Sequence, residues 1–104
     1  MPTAYVTAPV DAAEELASEL VERRLAACVN VVACDSTYRW EGDVVREPER
    51  ILLAKTTAEA YPELRDAIER LHPYDVPCIE RFDEDDVSDP FAEWVASSVG
   101  EPSR

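Results

Sequence analysis

One lysine, one histidine and two glycines are all that this chain of 104 residues holds of those types. A glycine-rich phosphate cradle and a nucleophile elbow are therefore absent. No apolar run approaches the roughly 20 residues that span a bilayer, and no basic stretch precedes a hydrophobic one at the N-terminus. Cytoplasmic placement is the expectation. The three cysteines, Cys28, Cys34 and Cys78, lack CxxC spacing, so neither a disulfide framework nor a zinc knuckle is indicated. Cys28 and Cys34 stand an even number of residues apart on a strand-like stretch and point to one face. They read as reduced, half-buried small hydrophobes.

Positive charge is equally scarce. Asp and Glu total 23 against 10 Lys and Arg, for a net charge of −13, and Lys55 is the only lysine. A field of that sign repels phosphate backbones and anionic membrane surfaces, so nucleic acid and membrane are poor partners. Acidic excess with so little lysine resembles the proteins of salt-accumulating halophiles, where concentrated cations screen self-repulsion. Regular hydrophobic periodicity argues against a disordered acidic chain. With 46% hydrophobic content, residues 1–104 are expected to form one domain around a modest core.

The pattern begins with a strand over residues 3–8, closed by Pro9. Asp11 and Glu14 have capping-box spacing, and Ala13, Leu16, Ala17, Leu20 and Val21 recur as one helical stripe, with Leu25 near its end. Residues 28–40 are β-rich, Glu41-Gly42-Asp43 is a tight turn, and residues 44–56 run back. Pro48 marks a bulge or an edge. Thr56 and Glu59 suggest a second cap, with Pro62 early in a helix whose apolar face is Tyr61, Leu64, Ile68 and Leu71. Residues 78–82 form a last strand. Asp89 and Pro90 suit the N-cap and first position of a third helix with an inner face of Phe91, Trp94, Val95 and Val99, stopped by Gly100. The tail over residues 101–104 is expected to fray.

The order βαββαβ predicts an α+β fold, a ferredoxin-like four-stranded antiparallel sheet with two helices on one face and an added C-terminal helix. The other sheet face then needs the third helix or another chain to cover it. Thirteen extended residues span roughly 40 Å, whereas a globule of this length is only about 30–35 Å across. The hairpin must bend near Pro48 or project. Its far part carries Tyr38, Trp40, Val44 and Val45, which are costly to leave in water, so it reads as an arm pairing with neighbouring subunits in a closed ring.

Between the second helix and the last strand lies Leu71-His72-Pro73-Tyr74-Asp75-Val76-Pro77, with the single histidine. Each proline fixes its own φ and pushes the preceding residue, His72 or Val76, into extended backbone. Taken alone the segment is a stiff connection with a surface histidine. It also presents an imidazole, a phenol and a carboxylate together on a rigid loop.

These pieces, taken with Val6-Thr7-Ala8-Pro9, Leu25-Ala26-Ala27-Cys28-Val29-Asn30, Ser36-x-Tyr38-x-Trp40-Glu41-Gly42, Lys55-Thr56-Thr57, His72-Pro73-Tyr74-x-Val76-Pro77 and Trp94, resemble the CutA family of divalent-cation tolerance proteins over residues 4–99. The resemblance implies a ferredoxin-like fold in a PII-like homotrimer whose long hairpins pair between subunits. It also implies a link to copper and divalent-cation tolerance. In family members for which copper ligation is proposed, a cysteine precedes the Thr-Ala-Pro and a second histidine precedes the His-Pro-Tyr. Val6 and Leu71 stand there in this chain, and His72 alone remains. Cys78 replaces a glutamate common in the family, with Glu80 two residues on and on the same strand face.

Two functions follow as expectations. The first is a non-enzymatic trimer in metal homeostasis, with copper or another divalent cation as its cofactor and with His72 and Cys78 as metal ligands. One imidazole is a poor copper site, and a neighbouring subunit would have to supply the rest. The second is a PII-like sensor or adaptor holding a small ligand between subunits, with Tyr38, Trp40, Lys55, His72, Tyr74 and Glu80 in the cleft. Lys55 would contact a phosphate or carboxylate of the ligand, or else pair with an acid such as Glu80. An enzyme built on a Cys–His pair lacks an evident oxyanion donor set.

Overall fold

The computed structural model describes residues 1–101, so most of the tail expected to fray, residues 102–104, lies outside the described residues. The elements run β1 (Pro2–Pro9), α1 (Val10–Glu22), β2 (Cys28–Trp40), β3 (Asp43–Lys55), α2 (Tyr61–Leu71), β4 (Ile79–Asp83) and α3 (Asp89–Ser98). The four strands make one antiparallel sheet in the order β2-β3-β1-β4. No helix among the described residues is long and apolar enough to cross a membrane.

Alternation along the strands sorts the two sheet faces. Ala4, Val6, Ala8, Leu52 and Ala54 point to the helices and are fully buried with Leu20, Leu64, Ala67 and Ile68. The opposite face carries Tyr5, Val32, Ile51, Leu53 and Phe82. Tyr5 stacks on Phe82 at 5.4 Å between ring centroids. Val32 and Phe82 remain 46% and 48% exposed. The third helix does not cover this face. It packs Val95 and Val99 against Ala27, Met1 and Ala60 at one end of the sheet.

The hairpin is the longest feature. Its two-residue loop, Glu41-Gly42, has φ of 49° and 86°, the positive pair of a type I′ turn. Register then follows without a bulge from Trp40↔Asp43 to Cys28↔Lys55. Strand β1 reaches only as far as Glu49 on β3, so residues 43–48 and 35–40 are paired only with each other. The hairpin projects rather than bends, and the molecule measures 51 × 26 × 20 Å. Pro48 sits one position past the end of β1, where β3 has become an edge and a missing N–H is tolerated.

Several sequence expectations shift for tertiary reasons. The N-cap of α1 is Pro9, which makes no side-chain cap, so Asp11 sits inside the first turn, favourably placed near the positive end of the helix dipole. Helix α2 begins at Tyr61, because the Thr56 hydroxyl donates to the Leu25 carbonyl at 2.7 Å rather than capping. The Thr57 hydroxyl instead accepts from the Ala60 N–H at 3.1 Å. Ser88, not Asp89, is the N-cap of α3. Phe91 and Trp94, expected inside, are 36% and 46% exposed and lie against each other.

Arg24 explains how α3 is held. Helix α1 ends in a Schellman turn, with Leu25 N–H to Leu20 O at 3.0 Å and Arg24 N–H to Val21 O at 3.0 Å. Arg24 occupies the left-handed position at φ 59°, where glycine is usual. Its guanidinium donates to the Ser97 carbonyl at 2.9 Å and to the Gly100 carbonyl, while Gly100 N–H returns a bond to Arg24 O at 2.8 Å. That clamp turns Val95 and Val99 inward and leaves the other two aromatic positions outside.

Candidate functional site

A cleft of about 650 Å³ opens between the loop after α2 and the root of the hairpin. The loop contributes Pro73, Tyr74, Asp75 and Val76, and β2 contributes Ser36, Thr37, Tyr38 and Trp40. Its floor is Thr7 of β1 and Glu49 of β3, with Cys78 just before β4. The sheet order brings these together: β4 pairs with β1, so the loop leading into β4 passes over the point where β1 ends and the hairpin continues alone.

Histidine 72 sets the loop. It caps the C-terminus of α2 in extended conformation, as the following proline requires. The ring is only 7% exposed, so it is a buried histidine rather than the surface one expected of this segment. Its Nδ1 accepts from the Tyr74 N–H at 3.1 Å, and its Nε2 then donates to the Thr7 carbonyl at 2.7 Å. Those two bonds define one neutral tautomer and tie the loop to β1. Both ring nitrogens are occupied, so neither is open to a metal. The tilted ring of Tyr74 lies 4.9 Å away and turns its hydroxyl toward the sheet.

The two phenols and Glu49 line the cleft, and Glu47 bonds the phenols from beside it. Tyr74 donates to Glu49 Oε2 at 2.9 Å and approaches Glu47 Oε1 at 3.3 Å. The Tyr38 hydroxyl also donates to Glu47 Oε1. Burial and the hydrogen bond to Glu49 push the Tyr74 phenol well above the usual range. The bond to Glu47 pushes the Tyr38 phenol up to about 12. Glu49 is 4% exposed, and no ion pair among the described residues involves it. Arg50 donates to the Glu49 backbone carbonyl at 3.2 Å, not to its carboxylate.

Of the residues expected in the cleft, Tyr38, Trp40 and Tyr74 line it, and so does Cys78. Lys55 does not. It lies six residues from Glu49 along β3, about 20 Å away at strand rise. Its ammonium donates to Thr3 Oγ1 at 3.1 Å, and Thr3 donates onward to Glu84. Glu80 also lies off the cleft, on β4 opposite Tyr5. The Cys78 thiol donates to Glu80 at 3.6 Å, and burial together with Glu80 pushes the thiol up, away from a thiolate. Among the described residues no group of three His, Cys, Asp or Glu is arranged to hold a metal. Val6, where the resemblance implies a cysteine in members proposed to ligate copper, is fully buried in the core.

Sequence reasoning missed Glu49 and Glu47. The turn expected over Glu41-Gly42-Asp43 is in fact the two residues Glu41 and Gly42, and that one-residue difference sets Ser36↔Glu47 and Cys34↔Glu49 and puts both carboxylates on the face of Tyr38. That Glu49 is buried was not legible, because the loop that covers it comes from 25 residues further along.

Comparison with known proteins gives a consistent answer. The family model described as CutA1 divalent ion tolerance protein matches residues 3–98. The divalent-cation tolerance protein CutA of Thermus thermophilus is 41% identical over 97 residues, covering 91% of this chain and 94% of that protein. The crystal structure of CutA1 from Pyrococcus horikoshii superposes with a TM-score of 0.93 at 34% identity, covering 97% of this chain and 100% of that one. The PII-like protein CutA from Nostoc sp. PCC 7120, in apo form, superposes with a TM-score of 0.93 at 29% identity, covering 96% and 98%.

Proposed function

The chain belongs to the CutA1 divalent ion tolerance family, and from that membership we propose that it works as a non-enzymatic homotrimer in divalent-cation tolerance. The observation that carries the trimer is the hairpin. Beyond Glu49 its two strands have free backbone edges on both sides, and its surface holds Trp40 at 48% and Val44 at 50% exposure. A long edge of this kind invites a strand from another chain, and a closed ring satisfies every copy alike. The open sheet face with Val32 and Phe82 needs cover for the same reason. With a net charge of −13 and one lysine, the surface suits a salt-rich cytoplasm, where we place the protein.

A copper ion anchored by His72 and Cys78 does not fit these residues. The imidazole has no free nitrogen and the thiol is held protonated. We therefore assign no step to bound copper. The non-enzymatic reading draws on the same geometry, since His72 is bonded to backbone atoms rather than poised as a base for a thiol.

The second reading, a PII-like adaptor that takes a small ligand beside the hairpin, is favoured by the cleft itself. Tyr38, Trp40 and Tyr74 are its ligand contacts, with His72 as the positioning residue behind Tyr74. Sedimentation and native mass spectrometry in molar salt, with metal analysis of the same sample, test the proposal. One species of three subunits without stoichiometric copper is the expected result. A clean monomer at micromolar concentration overturns it.

A further inference from the structure

We propose that the cleft takes an organic cation: a small molecule with an ammonium group seated on Glu49 and an apolar body against Tyr38, Trp40 and Tyr74. The inference rests on the cleft being a ligand site, and it names the class of ligand.

Glu49 carries the argument. Its carboxylate lies at the floor of the cleft with the residue 4% exposed. Oε2 accepts from Tyr74, and Oε1 has no protein donor among the described residues. The arginine beside it is spent on a backbone carbonyl, and Lys55 is bonded at the far end of the strand. A buried carboxylate without a countercharge is costly, and a bound cation relieves that cost. Glu47 adds a second negative charge within reach of the same phenols. An anionic ligand would meet the Glu49 and Asp75 carboxylates that line the cleft and is disfavoured by like charge.

The walls choose between a metal and an organic cation. Among the described residues no group of three His, Cys, Asp or Glu is arranged to complete an inner coordination sphere. The cleft offers instead three aromatic side chains, whose negative ring faces attract a weakly hydrated ammonium when water is excluded. Its volume of about 650 Å³ lies in the range of sites that enclose a small organic ligand.

Calorimetric titration of the whole protein in molar sodium chloride tests this, with choline chloride as the probe. The control probe is its uncharged isostere dimethylbutanol, in which carbon replaces the quaternary nitrogen. Choline is expected to bind saturably, and the isostere about tenfold or more weaker. Glu49→Gln keeps the shape and the Tyr74 bond and should cost choline about tenfold, with the isostere unaffected. Trp40→Leu, at a position 48% exposed, should weaken both probes while sedimentation shows the parent's subunit number, and it guards against a folding defect at the buried site. Equal binding of the two probes, choline binding that survives Glu49→Gln, or no choline binding by the folded protein each overturns the cationic class. Isostere binding without choline preference would leave the cleft a ligand site while refusing this inference, and subunit number is read separately by sedimentation.

Discussion

The Tyr74 hydroxyl donates to Glu49 Oε2 at 2.9 Å, joining the loop after α2 to the root of the hairpin. It is the one protein hydrogen bond that the Glu49 carboxylate receives among the described residues. Removing it by Tyr74→Phe leaves a buried charge with no donor, at a cost of about 1–3 kcal/mol. The melting temperature should fall by several degrees. Glu49→Leu, which removes the acceptor, combined with Tyr74→Phe should cost clearly less than the sum of the two single changes, and strict additivity would show that the bond contributes nothing.

The same cluster gives the protein an alkaline limit. Tyr74 and Tyr38 ionise above the ordinary phenol value of 10.0 in the folded state. Between pH 10 and the folded values, the native chain keeps protons that the unfolded chain has lost, so stability is full below pH 10 and declines above it. Tyrosinate absorbance should rise late for at least two of the four tyrosines, and Tyr74→Phe should remove part of that late fraction. A single transition at the ordinary phenol value would contradict the hydrogen-bonded cluster.

For metal binding the structure leads us to expect little from the histidine. His72→Ala should leave Cu(II) and Zn(II) affinity in molar potassium chloride within about twofold, since neither nitrogen is open to ligate. Stability should drop by about 1–3 kcal/mol because the loop loses its ties to Thr7 and Tyr74. Cys78→Ser should likewise leave Cu(I) affinity unchanged. A submicromolar, salt-resistant site abolished by His72→Ala would restore copper as a specific ligand.

Salt should stabilise the protein strongly. Each chain carries −13, and a trimer gathers three times that charge. The Debye length shrinks from about 10 Å at 0.1 M to about 3 Å at 1 M, so self-repulsion is screened. Only four ion pairs are formed among the described residues, too few to neutralise the excess. The melting temperature is expected to climb between low and molar sodium chloride, and a flat curve would refute the halophile-type reading.

Val32→Asp probes the open sheet face. Val32 is 46% exposed in the single chain, so an aspartate there costs the isolated fold little. Within an assembly it would bury an unpaired charge. Sedimentation should show the variant dissociating at concentrations where the parent remains associated, and an unchanged assembly would place the interface elsewhere.

What the sequence determined by itself is the local geometry. A tight turn at Glu41-Gly42-Asp43 was legible, and the structure narrows it to Glu41 and Gly42, from which every hairpin pair to Cys28↔Lys55 follows by counting. The thirteen-residue strands, too long for a globule of this size, announced the projecting arm. The order of elements, their apolar stripes and the stiffness of the His72–Pro77 loop were legible for the same reason, because they depend on neighbours a few residues away. Tertiary structure decided where the chemistry lies. The Thr56 hydroxyl could cap a helix or bond the Leu25 carbonyl, and packing chose the second. Phe91 and Trp94 look inward by periodicity until the Arg24 clamp turns α3. His72 reads as a ligand until β1 supplies the Thr7 carbonyl, and Glu49 reads as a surface acid until the loop covers it. Burial and hydrogen-bond partners are set by segments distant in sequence, and no local pattern encodes which of them will arrive.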